Sequence, residues 1–238
     1  MDSAEESRSA SDPARGSSDA SAKLYAEALA KHVWFHENAL AIQPAQYGVR
    51  LSFALSYWFE LAENYPPAMK KLKEVRDEAH QNVLAGKNTR DSFHDFRSIN
   101  ETLGEESLTQ RVFEALDAKN SKAAKEVFDL AQPALVRGKA YQLMDKYIDA
   151  ENDFARLSRN YKESKSRAND TALGLRHLNF LNNKFFNDAS TLVAILVLNK
   201  RNGEAEQIAA LAREASDDAA FHAALDSALK GVVPEPWP

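Results

Sequence analysis

His32 and His36 stand four residues apart in the segment HVWFH, followed by Glu37. On a helix this spacing puts both imidazoles on one face, where two neutral rings can chelate a metal once a third ligand arrives. Two further pairs, Asp77-x-x-His80 and Asp91-x-x-His94, set an acid and an imidazole one turn apart. That arrangement is a shortened relative of the Glu-x-x-His pairs of di-iron bundles. Aspartate reaches less far than glutamate, and the two pairs lie close together in the chain, so solvated or capping roles compete with ligation. HVWFH also lacks the glutamate that serves as base in the H-E-x-x-H motif, which removes metalloprotease chemistry.

Other chemistries find less support. There is no cysteine, hence no thiolate ligand, thiol nucleophile or disulfide. No phosphate-cradling glycine loop and no G-x-S-x-G nucleophile elbow occurs. The letters DEAH at Asp77 to His80 have no phosphate loop to work with. His177 and His222 each sit beside apolar neighbours and read as packed or half-exposed side chains rather than catalysts. The motifs therefore point away from an enzyme, and no cofactor is expected. A metal-binding helical bundle using His32, His36, Asp77, His80, Asp91 and His94 is the alternative.

The elements that would carry these residues are helices. Eight glycines and eight prolines in 238 residues leave long uninterrupted segments rich in Ala, Leu, Glu and Lys. Apolar spacing predicts helices over 22–41, 45–64, 67–85 and 91–103, with stops at Gly86 and Gly104. In the second of these Val49, Phe53, Leu55, Trp58, Phe59 and Ala62 form a wide apolar stripe. From Glu105 onward helices alternate with short turns, with Ser121 as a cap and Gly203 as a positive-φ stop. LVAILVL, Leu192 to Leu198, reads as buried helix in preference to buried strand, and it is far shorter than the roughly 20 residues that span a bilayer. A last helix is expected over 217–230, ending at Gly231.

Charge narrows the partners. The formal net charge is −5, and residues 1–21 hold five acids against two arginines, a local −3 that leaves about −2 for the rest. A nearly neutral body offers no general attraction for nucleic acid or an anionic membrane. RHLNFLNNKFFN, Arg176 to Asn187, has the composition of a recognition helix, but Leu178, Phe180, Leu181, Phe185 and Phe186 suit a buried one. The acidic Ser- and Ala-rich start lacks the basic and apolar regions of an export signal. A disordered arm over 1–21, a helical domain over 22–231 with an internal boundary near 164–170, a proline-rich tail over 232–238 and a cytoplasmic location follow as expectations.

Within SYWFELAENYPP, Trp58, Leu61, Ala62 and Tyr65 keep the spacing W-x2-L-G-x2-Y, with Ala62 at the small-residue position. Ala124, Phe128 and Ala131 match A-x3-F-x2-A, and Leu198 to Ala212 forms a degenerate third unit. These segments resemble tetratricopeptide repeats over about half the chain. The resemblance implies an irregular α-solenoid of antiparallel helix pairs, with a single helical bundle as the alternative architecture. It further implies a non-catalytic scaffold or adaptor that binds a partner peptide or helix, with Tyr57, Glu60 and Asn64 on the binding side.

Overall fold

The computed structural model describes residues 13–169 and 174–236, and every regular element among them is helical: 12 α-helices and one short 3-10 turn, with no strand. The chain divides into two compact units, Met1–Thr109 and Gln110–Pro238. The all-α class expected from composition is what the structure shows. Of the expected arm, residues 1–12 lie outside the described residues, and helix α1 is Pro13–Ile42. Of the expected boundary at 164–170, residues 164–169 belong to a helix and residue 170 lies outside the described residues.

In the first unit α1 is followed by the 3-10 turn Pro44–Gln46, α2 (Tyr47–Arg50), α3 (Phe53–Asn64), α4 (Pro66–Ala85) and α5 (Thr89–Leu103). The single helix expected over 45–64 is thus broken at Leu51–Ser52, where Ser52 takes φ −128°, ψ −95°. Arg50 turns its side chain inward at this point, and the chain restarts at Phe53. Tyr65 is extended, and Pro66 and Pro67 open α4, where a missing N–H costs nothing. Gly86 and Gly104 close α4 and α5 with φ of 70° and 67°, a region that side chains with a Cβ avoid. α3 packs on α4, α4 on α5, and α1 lies against α3.

The core of this unit forms around Leu55, Trp58, Ala62, Ala68, Leu72 and Ile99. Trp58 is 1% exposed, and its indole Nε1 donates to the Ala68 carbonyl at 3.2 Å. Its buried N–H is therefore satisfied, which lets so large a ring fill the space between α3 and α4.

Helix α6 (Glu106–Lys119) carries the division between the units. The second unit continues with α7 (Ser121–Arg137), α8 (Tyr141–Asp145), α9 (Ala150–Asn169), α10 (Gly174–Leu198), α11 (Asn202–Ala215) and α12 (Ala219–Ala228). α10 packs against α9, α11 and α12. LVAILVL is helical within α10, as expected, and Leu192 to Leu196 are buried. Tyr161 stacks on Phe185 at 4.3 Å and Phe186 on Phe221 at 4.1 Å, so these two rings of Arg176 to Asn187 pack inside the unit, whereas Phe180, expected to be buried with them, is 45% exposed.

Two helix ends differ from the sequence pattern. The cap of α7 is Asn120, whose side chain accepts from the Ala123 N–H at 3.2 Å, while Ser121 is the first helical residue. The positive φ after α10 falls on Lys200 (63°) rather than Gly203. α10 closes with Arg201 N–H donating to the Leu196 carbonyl at 2.9 Å, so the reversal is complete before Asn202 and Gly203, which open α11. Arg201 fixes that opening by bonding Asp145 at 2.8 Å and Glu204 at 2.6 Å.

Candidate functional site

Helix α3 has two faces of opposite character. Leu55, Trp58 and Ala62 recur at helical spacing and are buried. On the other side Phe53, Tyr57, Glu60 and Asn64 recur at i, i+4, i+7 and i+11, and all four are exposed. Phe53 keeps 66% of its surface in solvent and Tyr57 59%. Asn64 donates to the Glu60 carbonyl at 3.1 Å, which holds the polar end of the stripe against its own helix. Tyr57, Glu60 and Asn64 therefore share one outward face. Phe53, expected in the core, joins them, and Val49 is 41% exposed just before it.

The histidines of α1 point toward α3. The His32 ring stacks on Trp58 with centroids 6.1 Å apart, and His36 meets the same indole edge-on at 6.0 Å. Burial lowers the His32 pKa below its ordinary value. Burial, and then the Arg50 guanidinium, lower that of His36 to about 4. Both rings are thus neutral packing partners of a tryptophan at neutral pH.

Arg50 is 8% exposed and forks onto Asp95, with Nη1 donating to Oδ1 at 2.6 Å and Nη2 to Oδ2 at 2.7 Å. Its Nε donates to the His36 carbonyl at 2.8 Å. One side chain thereby ties α2 to α5 and α1. Burial pushes the Asp95 carboxyl up to about 6, against the opposing pull of Arg50. Beside it the Tyr47 hydroxyl reaches Asp91 Oδ1 at 3.3 Å and His94 Nδ1 at 3.0 Å. Asp77 bonds Arg76 at 2.7 Å, and His80 lies against the Phe96 ring at 5.3 Å.

The structure thus brings His32 and His36 together on Trp58, and Asp91 and His94 together on Tyr47, while Asp77 and His80 meet different neighbours. Among the described residues no group of three or more His, Asp or Glu side chains is arranged to hold a metal ion. No described helix is long and apolar enough to cross a membrane. Sequence reasoning missed Phe53, Tyr47, Arg50 and Asp95. The available signal was an arginine inside the apolar run YGVRLSFAL and an acid set between Phe93 and Phe96.

The His36 titration has a measurable consequence. Its folded pKa of about 4 lies below the ordinary 6.5, so the unfolded chain takes up the proton first as pH falls. The stability that neutral His36 contributes is complete above pH 6.5 and is lost down to about pH 4. Relative to a His36→Phe variant, wild type should lose on the order of 3 kcal/mol across that window, at about 1.4 kcal/mol per pKa unit. Urea unfolding of both proteins at pH 7 and pH 4.5 measures this, and a pH-independent difference would show that His36 does not titrate as described.

Compared with known proteins, the chain matches no family model, no curated protein sequence and no solved structure.

Proposed function

We propose that this chain is a non-catalytic interaction module that docks a partner peptide or helix on the outer stripe of α3. The observation that carries the reading is the exposure of Phe53 and Tyr57, 66% and 59%, four residues apart on a helix whose opposite face is fully packed. Neither aromatic ring is needed by the core, and exposed aromatics bordered by polar side chains are the usual anchors of protein interfaces. Glu60 and Asn64 supply a carboxylate and an amide beside them. A helical partner presenting apolar residues one turn apart would match this spacing.

The architecture that goes with this reading is a tetratricopeptide-like stack of antiparallel helix pairs. It is supported by the single-residue connection between α3 and α4 and by the packing of α3 on α4 and α4 on α5. Trp58, Leu61, Ala62 and Tyr65, the residues that carry the repeat resemblance, lie along α3 and its C-terminal junction, where Trp58 and Ala62 are buried. The cytoplasm is the compartment this reading implies.

Affinity capture from native lysate tests it, comparing wild type with a Tyr57→Ala/Glu60→Lys variant of unchanged melting temperature. The expected result is a reproducible partner retained by wild type and lost by the variant, followed by the same difference in a titration with the purified partner. Equal retention by both proteins would remove the α3 stripe as the binding surface.

A further inference from the structure

From Leu51 to Met69 the chain carries Glu60 and Glu63 as its charged side chains and has no lysine or arginine. Both glutamates are exposed near the C-terminal end of α3, beyond the exposed rings of Phe53 and Tyr57. Given the reading of α3 as a docking face, we infer that its partner is a cationic amphipathic helix, with apolar side chains over Phe53 and Tyr57 and lysines or arginines meeting Glu60 and Glu63.

The cations that border this segment are already engaged. Arg50, just before it, forks onto Asp95 inside the unit. Lys70 and Lys71, just after it, reach Glu74 at 3.8 and 4.0 Å, while Lys73 and Arg76 reach Glu105. On α1 the exposed Lys23 and Lys31 are matched in charge by the exposed Glu27 and Glu37. Among the described residues no lysine or arginine forms an ion pair with Glu60 or Glu63, and no ring stacks on Phe53 or Tyr57. The face is apolar at one end and carries uncompensated acid at the other.

That pattern selects among occupants. An uncharged helix laid over it would strip water from the carboxylates and give nothing in return. A nucleic acid or an anionic membrane would be repelled. A second copy of the same face fits no better: in a parallel pairing glutamates meet glutamates, in an antiparallel one they meet Phe53 and Tyr57, and neither supplies a cation. Spacing sets the register. At the helical rise, Tyr57 stands about 6 Å along the axis from Phe53, Glu60 about 10 Å and Glu63 about 15 Å. A partner helix lying along α3 therefore matches it with apolar residues at i and i+4 and cations at i+7 and i+11, all on one face.

Fluorescence anisotropy of labelled helical peptides against the full chain tests the assignment. The basic probe carries leucine at i and i+4 and lysine at i+7 and i+11; three relatives replace both lysines by glutamine, replace both by glutamate, or scramble the basic sequence. The basic probe should bind saturably and about tenfold tighter than the glutamine and scrambled peptides, with the glutamate peptide weakest. Glu60→Gln/Glu63→Gln should erase the advantage of lysine over glutamine, and Tyr57→Ala should weaken both peptides, with melting temperatures unchanged. Equal binding of the lysine and glutamine peptides, both weakened by Tyr57→Ala, would overturn the cationic assignment and leave the docking face standing. Binding indifferent to Tyr57→Ala would overturn both. Equal binding of the scrambled peptide, or no saturable binding of the basic one, would overturn the assignment while the lysate capture tests the docking face separately. Sedimentation velocity of wild type and Tyr57→Ala completes the test: self-association lost in the variant would give the face to a second copy and overturn the assignment.

Discussion

Arg50→Ala should lower the unfolding free energy of the chain by about 3–5 kcal/mol, because it strands a buried carboxylate rather than deleting a surface charge. Asp95 receives both terminal nitrogens of the guanidinium, at 2.6 and 2.7 Å, and its side chain is only 18% exposed. The His36 carbonyl loses its donor as well. The loss should depend on pH. Burial places the folded Asp95 pKa at about 6 against an ordinary 3.8, so the ionised form opposes folding as pH rises through that window. Without Arg50 nothing offsets this, and the variant should suffer more at pH 7 than at pH 4.5. An apolar double variant, Arg50→Met/Asp95→Leu, should recover most of the loss by removing both charges together. Urea unfolding followed by far-ultraviolet circular dichroism measures all three proteins. A loss below about 1 kcal/mol for Arg50→Ala, the range of an exposed pair, would show that the pair is solvated.

Trp58→Ala and Tyr57→Ala, one residue apart, should differ by several kcal/mol. Trp58 is 1% exposed, touches both α1 histidines and bonds the Ala68 carbonyl, so truncation opens a cavity and should cost about 3–5 kcal/mol. Tyr57 is 59% exposed on the opposite face, and its truncation should stay within about 0.5 kcal/mol. Thermal and urea unfolding of the two variants check this directly. Similar losses would mean that α3 is buried on both sides and has no free face.

The inner face of α3 was legible in the sequence because Leu55, Trp58 and Ala62 keep one helical period. Phe53 was not, because the apolar stripe that included it is wider than one face can bury. Periodicity alone cannot say which edge stays in solvent. The stops at Gly86, Gly104 and Gly231 were readable since glycine favours positive φ locally, whereas Lys139 and Lys200 adopt the same region without any such mark. Asn120 and Ser121 are both good caps, and only the hydrogen bond to Ala123 decides between them. Arg50 and Asp95 lie 45 residues apart, and their pairing is set by how α2 and α5 pack, a tertiary fact. The break at Ser52 belongs with that pairing, since it follows directly on the inward turn of Arg50. Tyr57, Glu60 and Asn64 lie on the exposed face of α3.

The most direct test of the interaction reading is the dissociation constant of a purified partner for wild type and for Phe53→Asp, with the melting temperatures of both proteins measured alongside. Phe53 is 66% exposed on the stripe, so a carboxylate there probes the surface without entering the core. The account predicts at least about a tenfold weaker complex for Phe53→Asp, equivalent to some 1.4 kcal/mol, with an unchanged melting temperature. An unchanged dissociation constant in a fully folded variant would contradict it and place the partner elsewhere on the chain.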